Sequence, residues 1–117
     1  MSQPTRAAAA QSQAGPLAPY RVLDLTTERG WMSGKILADL GAQVLKVEPV
    51  GGDPGRHRGP FYQDRADPEH SLRWWFLNRG KRSITLNLET EDGRALFRRL
   101  LSQTDLQGAA LDNPVAA

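Results

Sequence analysis

A strand–helix–strand pattern over residues 20–48 constrains this sequence more than any other feature. The apolar run 20–25, which Pro19 precedes, is typical of a buried strand. Apolar residues then recur at helical spacing, and Gly41 stands where a helix C-cap belongs. Residues 43–48 read as a second strand, which Pro49 ends. Two strands joined by one short helix predict the βαβ unit of a parallel sheet.

The rest of the chain extends this pattern. A long loop rich in Gly and Pro occupies 50–68, and loops of that length are usually functional or disordered. Residues 72–77 predict a helical turn or two, and the alternation over 83–86 predicts a third strand. Thr90 is a good N-cap for a longer helix. The expected apolar stripes are Met32, Ile36, Leu37 and Leu40 in the first helix and Leu96, Phe97, Leu100 and Leu101 in the last.

These elements predict an α/β fold with a Rossmann-like parallel βαβ core over residues 20–106. Residues 1–19 are rich in Ala, Gln, Ser and Pro, which predicts a disordered leader. Asp105 and Leu106 should begin a fourth strand, but residues 107–117 have little strand character and read as a divergent tail. Helices must cover both faces of a parallel sheet, and two helices do this poorly, so we expect an incomplete unit.

Composition excludes several classes of function. The chain has no cysteine, which rules out disulfides and thiolate metal sites, and a reducing cytoplasm is the default expectation. No run approaches the ~18–20 apolar residues of a membrane helix, and no apolar h-region typical of a signal peptide is visible, so we expect neither. The net charge of +2 reflects either base composition or an anionic ligand. Without a basic face interleaved with aromatic residues, we expect no nucleic-acid partner.

The turn after the first strand, residues 26–34, is one candidate ligand site, because Gly30 would admit a ligand close to the backbone. The G-x-G-x-x-G fingerprint is missing, which disfavours a nicotinamide or flavin site. Glu48 stands where a ribose-binding acid would lie, or is simply a solvated charge at a strand end. His57 and His70 lack metal-ligand spacing and are expected to be structural or solvent-facing, so no metal site is predicted.

The glycine-rich loop 51–60 is a second candidate site. Arg56 and Arg58 could hold a phosphate through paired hydrogen bonds, or they could be solvated arginines of a flexible loop. The aromatic run 74–76 could stack on an adenine ring, although core packing is the simpler interpretation for most of it. No nucleophile–base pair is visible. The residues alone therefore indicate an α/β fragment in which an anion-binding loop is one possibility.

The order of several short blocks resembles one protein family. The blocks are Arg-Val-Leu-Asp-Leu-Thr at 21–26, Leu-Ala-Asp-Leu-Gly-Ala-Gln-Val-Leu-Lys-Val-Glu-Pro at 37–49, Gly-Gly-Asp-Pro at 51–54, Asn-x-x-Lys-Arg-Ser-Ile-Thr-Leu at 78–86 and Thr-x-x-Gly-Arg-x-Leu at 90–96. Together they resemble the family III CoA-transferases (CaiB/BaiF-like), which include formyl-CoA transferase and α-methylacyl-CoA racemase. The resemblance covers about residues 17–106.

The resemblance implies a Rossmann-like large domain, a smaller second domain and an interlocked homodimer. It also implies coenzyme A as substrate and carrier without a metal, with an acyl-CoA and a carboxylic acid as partners. In the transferases an aspartate attacks the thioester to form a mixed anhydride, whereas the racemase branch uses acid–base groups. The CoA contacts that it carries over to this sequence are Arg29, Gly30, Leu86, Asn87, Leu88 and Glu89.

Two departures from the family qualify this expectation. A Lys found in some relatives is Glu89 here, and the apolar strand and Glu-Asn-Phe-like segment expected after Asp105 are replaced. The nucleophilic aspartate of the family lies farther along, so no catalytic residue is assigned. We therefore expect the amino-terminal portion of a CoA-transferase that is inactive by itself. The alternatives are a stand-alone CoA- or nucleotide-binding module and, less favoured, an NAD-binding half-domain.

Overall fold

A computed structural model describes residues 15–108, which form one parallel sheet with helices on both faces. The strands are β1 (Arg21–Asp24), β2 (Gln43–Glu48), β3 (Arg82–Thr85) and β4 (Leu106–Gly108), in the order β3-β2-β1-β4. The helices are α1 (Trp31–Asp39), α2 (Leu72–Leu77) and α3 (Glu91–Leu101), with 3-10 turns at Glu28–Gly30, Pro54–His57 and Tyr62–Asp64. The predicted parallel, Rossmann-like core is confirmed.

Local sequence signals explain where the two longer helices begin and end. Gly41 follows α1 with a φ of 103°, a backbone conformation that favours glycine, and its N–H donates to the Ala38 carbonyl at 3.0 Å. Thr90 caps α3, because its hydroxyl accepts a hydrogen bond from the Gly93 N–H at 3.1 Å. Glu91 follows this cap in the first turn, where the helix dipole favours an acid.

The two faces of the sheet bury different sets of side chains, because successive strand residues point to opposite faces. The face covered by α1, here called the α1 face, carries a small apolar cluster at its amino-terminal half. That cluster contains Leu17, Val22, Leu37, Ala38, Ala42 and Val44. The opposite face, covered by α3 and called the α3 face, carries a larger cluster. It contains Leu23, Leu25, Leu45, Val47, Ile84, Leu86, Leu88, Phe97, Leu100 and Leu101.

The carboxyl-terminal half of the α1 face is ionic instead of apolar. Asp24 and Lys46 are adjacent in the parallel register of β1 and β2, and both are almost fully buried. Lys81, at the entry to β3, donates to an Asp24 carboxylate oxygen at 2.7 Å and to the Trp31 carbonyl at 2.9 Å. Lys46 donates to the Thr26 carbonyl at 2.6 Å and lies 3.8 Å from Asp24. Burial, which outweighs the nearby carboxylate, lowers the pKa of Lys81.

Two tryptophans cover this ionic cluster. Trp31 is completely buried and meets Trp74 of α2 edge to face, with ring centroids 5.0 Å apart. The Lys46 ammonium lies 5.9 Å from the Trp31 ring centroid and 5.7 Å from that of Trp74. The indoles therefore exclude water from the charges while offering cation–π attraction.

The structure also departs from the sequence predictions. Residues 15–19, which were assigned to the leader, form a turn in which the Leu17 N–H donates to the Leu40 carbonyl at 3.0 Å. Strand β4 pairs with β1 as far as Gly108, two residues beyond the boundary expected at 106. Residues 1–14 and 109–117 of the expected leader and tail lie outside the described part. Among the helices described, none is long and apolar enough to cross a membrane.

We expect Lys81→Met to lower the free energy of unfolding by about 3 kcal/mol, since it leaves the buried Asp24 carboxylate without its closest cation. Lys35→Met is the matched control, because Lys35 forms a partly exposed pair with Asp39 that is worth about 0.5 kcal/mol. Urea unfolding of both variants, followed by circular dichroism, measures the difference. Equal losses in the two variants would contradict a dominant role for the buried pair.

Candidate functional site

Two neighbouring hollows open at the carboxyl ends of β1, β2 and β3, the edge at which open α/β sheets bind ligands. The first, here called the apolar hollow, has a volume of about 580 Å³ and is lined by residues 25–27, 47–50, 53–54 and 86–89. The second, called the basic hollow, has a volume of about 540 Å³ and is lined by residues 27–29, 53–55, 58 and 73. Both volumes suit a small-molecule ligand.

The floor of the apolar hollow continues the hydrophobic cluster of the α3 face. Leu25 and Val47 are buried there, and Leu86 and Leu88 are half-buried beside them. Glu89 stands exposed at the rim. A flat, apolar group such as a nucleobase could therefore lie on aliphatic side chains with its polar edge towards solvent.

The segment 86–89 is held in place by local hydrogen bonds. The Asn87 side-chain oxygen accepts from the Glu89 N–H at 3.0 Å, and the Asn87 carbonyl accepts from the Thr90 hydroxyl at 2.9 Å. Gly93 packs so closely on the Asn87 carbonyl that a Cβ atom there would collide with it. The Thr-x-x-Gly motif thus serves both to start α3 and to shape this side of the apolar hollow.

Arginines from three separate segments surround the basic hollow. Arg29 comes from the turn after β1, Arg58 from the loop after β2 and Arg73 from α2. Glu28 joins two of them: its carboxylate oxygens lie 2.9 Å from Arg58 and 2.6 Å from Arg73. Within residues 15–108, Arg29 forms no ion pair. This concentration of guanidinium groups suits a carboxylate or phosphate ligand.

The wall between the hollows is fixed by the Glu48 carboxylate. One oxygen accepts from Arg56 Nε at 2.6 Å and from the Asp53 N–H at 2.8 Å, while the other accepts from Arg56 at 2.9 Å and from the Ser83 hydroxyl. Burial alone would raise the pKa of Glu48, but these hydrogen bonds outweigh it and lower the pKa to about 2. Glu48 is therefore an anion at neutral pH, and it ties the loop to the sheet.

Asp53 and Arg56 connect this wall to the tryptophans below. The Arg56 guanidinium lies 4.0 Å from the Trp74 ring centroid, and the hydrogen bonds that it donates to Glu48 raise its pKa. Asp53 accepts from the Gly55 N–H at 2.8 Å and from the Trp31 indole N–H at 3.2 Å. Asp53, which lines both hollows and lies 3.6 Å from the Lys46 ammonium, thus connects them to the buried ionic cluster.

Comparison with known proteins identifies the family. The family model for CoA-transferase family III matches residues 17–114. The chain belongs to CoA-transferase family III.

Two curated CoA-transferases show the extent of this similarity. The chain is 42% identical over 87 residues to the BbsE subunit of succinyl-CoA:(R)-benzylsuccinate CoA-transferase from Thauera aromatica, covering 74% of this chain and 21% of that protein. It is 44% identical over 95 residues to succinate–glutarate CoA-transferase from Agrobacterium fabrum, covering 78% and 24%.

A solved structure shows the same relation. The chain is similar to the crystal structure of a CAIB/BAIF family protein from Brucella suis, with a TM-score of 0.72 and 38% identity over 83% of this chain and 26% of that one. It therefore spans about a quarter of the length of the relatives that it matches.

The CoA contacts expected from the family resemblance fall into different parts of the site. Four of them line the apolar hollow: Leu86, Asn87, Leu88 and Glu89. Arg29 lines the neighbouring basic hollow. Gly30 lines neither, because its Cα faces the Thr26 side chain, where a Cβ atom would lie 2.5 Å from the Thr26 Cβ. Their role as CoA contacts stays a prediction.

Several predictions for single residues are wrong. Glu48 is not a solvated charge, since it is 4% exposed and paired with Arg56. Arg56 is consequently neither solvated nor free to hold a phosphate. Of the aromatic run 74–76, only Trp74 packs in the core, because Trp75 and Phe76 are 44% and 62% exposed. The sequence did contain one usable signal: strand alternation places Lys46 and Glu48 on one face of β2, and the parallel register adds Asp24 to it.

The histidines take no part in either hollow. His57 is exposed in a 3-10 turn. His70 lies beside the Tyr62 and Trp75 rings, with its ring centroid 6.3 Å from each of theirs, and 3.5 Å from Asp67. Within residues 15–108, no three His, Cys, Asp or Glu side chains form a cluster that could hold a metal ion.

We expect Glu48 to make stability depend on pH in the acid range. In the unfolded chain its carboxyl group takes up a proton near its ordinary pKa of 4.5, whereas in the folded chain it does so only near about 2. Its stabilisation is therefore complete above pH 4.5 and is lost as the pH falls towards 2. Glu48→Gln should lower stability at neutral pH and flatten this part of the curve.

Urea unfolding midpoints between about pH 6 and about pH 2 measure this dependence. Glu69→Gln is the matched control, because the Glu69 carboxylate also pairs with Arg56, at 3.7 Å, but is 77% exposed and therefore contributes little. The same pH dependence in Glu48→Gln and in the unsubstituted chain would refute the assignment of this carboxylate as a buried anion.

Proposed function

We propose that residues 15–108 supply part of the CoA-binding surface of a CoA-transferase. The observation that carries this proposal is the apolar hollow at the carboxyl ends of the parallel strands, which four of the expected CoA contacts line. An acyl-CoA and a carboxylic acid are the corresponding substrates. The relatives named above act on succinate derivatives and other carboxylic acids, which suggests an acid of this class as acceptor.

The chemistry of the apolar hollow suits the adenine end of the carrier. Leu86 and Leu88 offer an apolar surface on which a purine ring could lie, and the exposed residue Asn87 stands at its edge. The neighbouring arginines place positive charge beside this position, where the phosphates of a bound CoA would extend. The ligand would thus cross the carboxyl ends of the strands, as in other open α/β folds.

The carboxylates at the floor of the hollows are poorly suited to act as the nucleophile. Glu48 is held by Arg56, Ser83 and a backbone N–H, and Asp53 by an indole N–H and a backbone N–H. Attack on a thioester would require breaking these buried bonds. We therefore assign binding to this part of the family fold and the covalent step to an aspartate elsewhere in the enzyme, within the interlocked homodimer that the family resemblance implies.

A stand-alone CoA-binding module is the second candidate. The observation that favours it is that residues 25–89 alone form the apolar hollow. The two candidate functions differ in whether this chain can complete a transferase that lacks the corresponding part. The test uses the Agrobacterium fabrum succinate–glutarate CoA-transferase from which the quarter that matches this chain has been deleted. If this chain is a portion of a transferase, adding it should restore activity to the shortened enzyme. If this chain is a stand-alone module, the shortened enzyme should remain inactive.

We expect Glu89→Lys to tighten CoA binding about fivefold, since it replaces an anion at the rim of the apolar hollow by a cation facing a polyanionic ligand. Glu91→Lys makes the same charge change on an exposed residue that lines neither hollow, so it should have a much smaller effect. Isothermal titration calorimetry at fixed ionic strength measures both affinities. Equal gains in the two variants would contradict CoA binding in the apolar hollow.

The 117-residue chain by itself is expected to bind CoA without transferring it. Purified chain incubated with succinyl-CoA and glutarate should form no glutaryl-CoA above the rate without protein, as followed by liquid chromatography. Catalytic turnover by this chain would overturn the assignment of the covalent step to another part of the enzyme.

A further inference from the structure

Glu28 occupies the basic hollow in the way a bound anion would. Each of its two carboxylate oxygens is paired with a different guanidinium, at 2.9 Å from Arg58 and 2.6 Å from Arg73. These two arginines come from separate segments and converge on this one carboxylate. A carboxylate or phosphate of a ligand, which also carries several oxygens, could be held by the same two guanidinium groups.

The charges around the basic hollow remain unbalanced. Its rim carries three guanidinium groups, from Arg29, Arg58 and Arg73, against the single carboxylate of Glu28. Asp53 also lines the hollow, but it lies 3.6 Å from the buried Lys46 ammonium and accepts the Trp31 and Gly55 N–H groups. The rim therefore has an excess of positive charge that a further anion would offset.

The Glu28 pairs can be exchanged, in contrast to the buried pairs beneath them. The Glu28 side chain is 21% exposed, and those of Arg58 and Arg73 are 67% and 47% exposed. Water can solvate all three groups when they separate, so an incoming anion can replace Glu28 at small cost. Glu48 and Arg56, at 4% and 14%, lack this freedom.

We propose that the basic hollow is an oxyanion-binding site in which Glu28 holds the position of the ligand's carboxylate or phosphate until that ligand displaces it. The site takes an oxyanion whether or not the chain binds CoA. Which molecule supplies the oxyanion rests on the proposed function: the oxyanion is either a phosphate of CoA or the free carboxylate of an acid substrate.

Titration with inorganic phosphate at fixed ionic strength, followed by calorimetry, tests the site directly. Glu28→Gln removes the competing carboxylate and should tighten phosphate binding about fivefold. Arg73→Gln removes one of the binding groups and should weaken it by a similar factor. The matched controls are Glu69→Gln, an exposed acid outside the hollow, and Arg79→Gln, an exposed arginine outside both hollows; both should change binding less than about twofold.

Three organic ligands then distinguish the source of the oxyanion. If Glu28→Gln tightens binding of CoA but not of dephospho-CoA, which lacks the 3′-phosphate, that phosphate is the ligand. If it tightens both equally, the diphosphate is the ligand. If it tightens glutarate and neither nucleotide, the site binds the acid substrate.

The proposal fails if Glu28→Gln and Glu69→Gln bind inorganic phosphate equally, or if Arg73→Gln binds it as well as the unsubstituted chain. Thermal unfolding of each variant verifies that it is folded. A response to inorganic phosphate without any response to CoA, dephospho-CoA or glutarate would support the oxyanion site and count against the proposed function. The two proposals can therefore fail separately.

Discussion

The buried pairing of Asp24 with Lys81 and Lys46 is the interaction on which the rest of the structure depends. Both lysine side chains are 1% exposed, and a charge at such depth is tolerated only when it is paired and hydrogen-bonded. Lys81 also donates to the Trp31 carbonyl, and Lys46 to the Thr26 carbonyl. These bonds join β1, β2, the entry to β3 and the turn after β1. The backbone around both hollows is thereby fixed from below.

Strand alternation gives the two hollows their different chemistry. On the α3 face the carboxyl ends of β1 and β2 carry Leu25 and Val47, and the apolar hollow opens where this hydrophobic layer ends. On the α1 face the corresponding positions are charged, and Asp53 carries this network into the basic hollow. A ligand with an apolar end and an anionic end would find both environments side by side.

The sequence predicted the parallel core well, because strand and helix signals over 20–48 are local. The features that the sequence did not predict depend on contacts between residues far apart in the chain. The apolar stripe expected in α1 was wrong for three of its four residues, since Met32, Ile36 and Leu40 are 44%, 50% and 42% exposed. The buried residues of this helix are Trp31 and Gly34. A Cβ atom at Gly34 would lie 2.5 Å from the Asp24 carboxylate. The helix thus sits directly on a charge pair formed by residues distant in sequence.

The same distinction explains the candidate site. Residues 86–89 were named from the family resemblance, and they do line the apolar hollow, where local hydrogen bonds shape the segment. The sequence blocks themselves describe only local structure. They did not reveal that Arg56 is bound within the fold while Arg58, two residues away, points to the rim. Burial separates the two arginines: a buried pair cannot be broken without leaving a charge uncompensated, whereas an exposed pair can exchange its partner for a ligand. The buried Glu48–Arg56 pair keeps the site rigid, and the exposed Glu28–Arg58 pair at the rim can open for an anionic ligand.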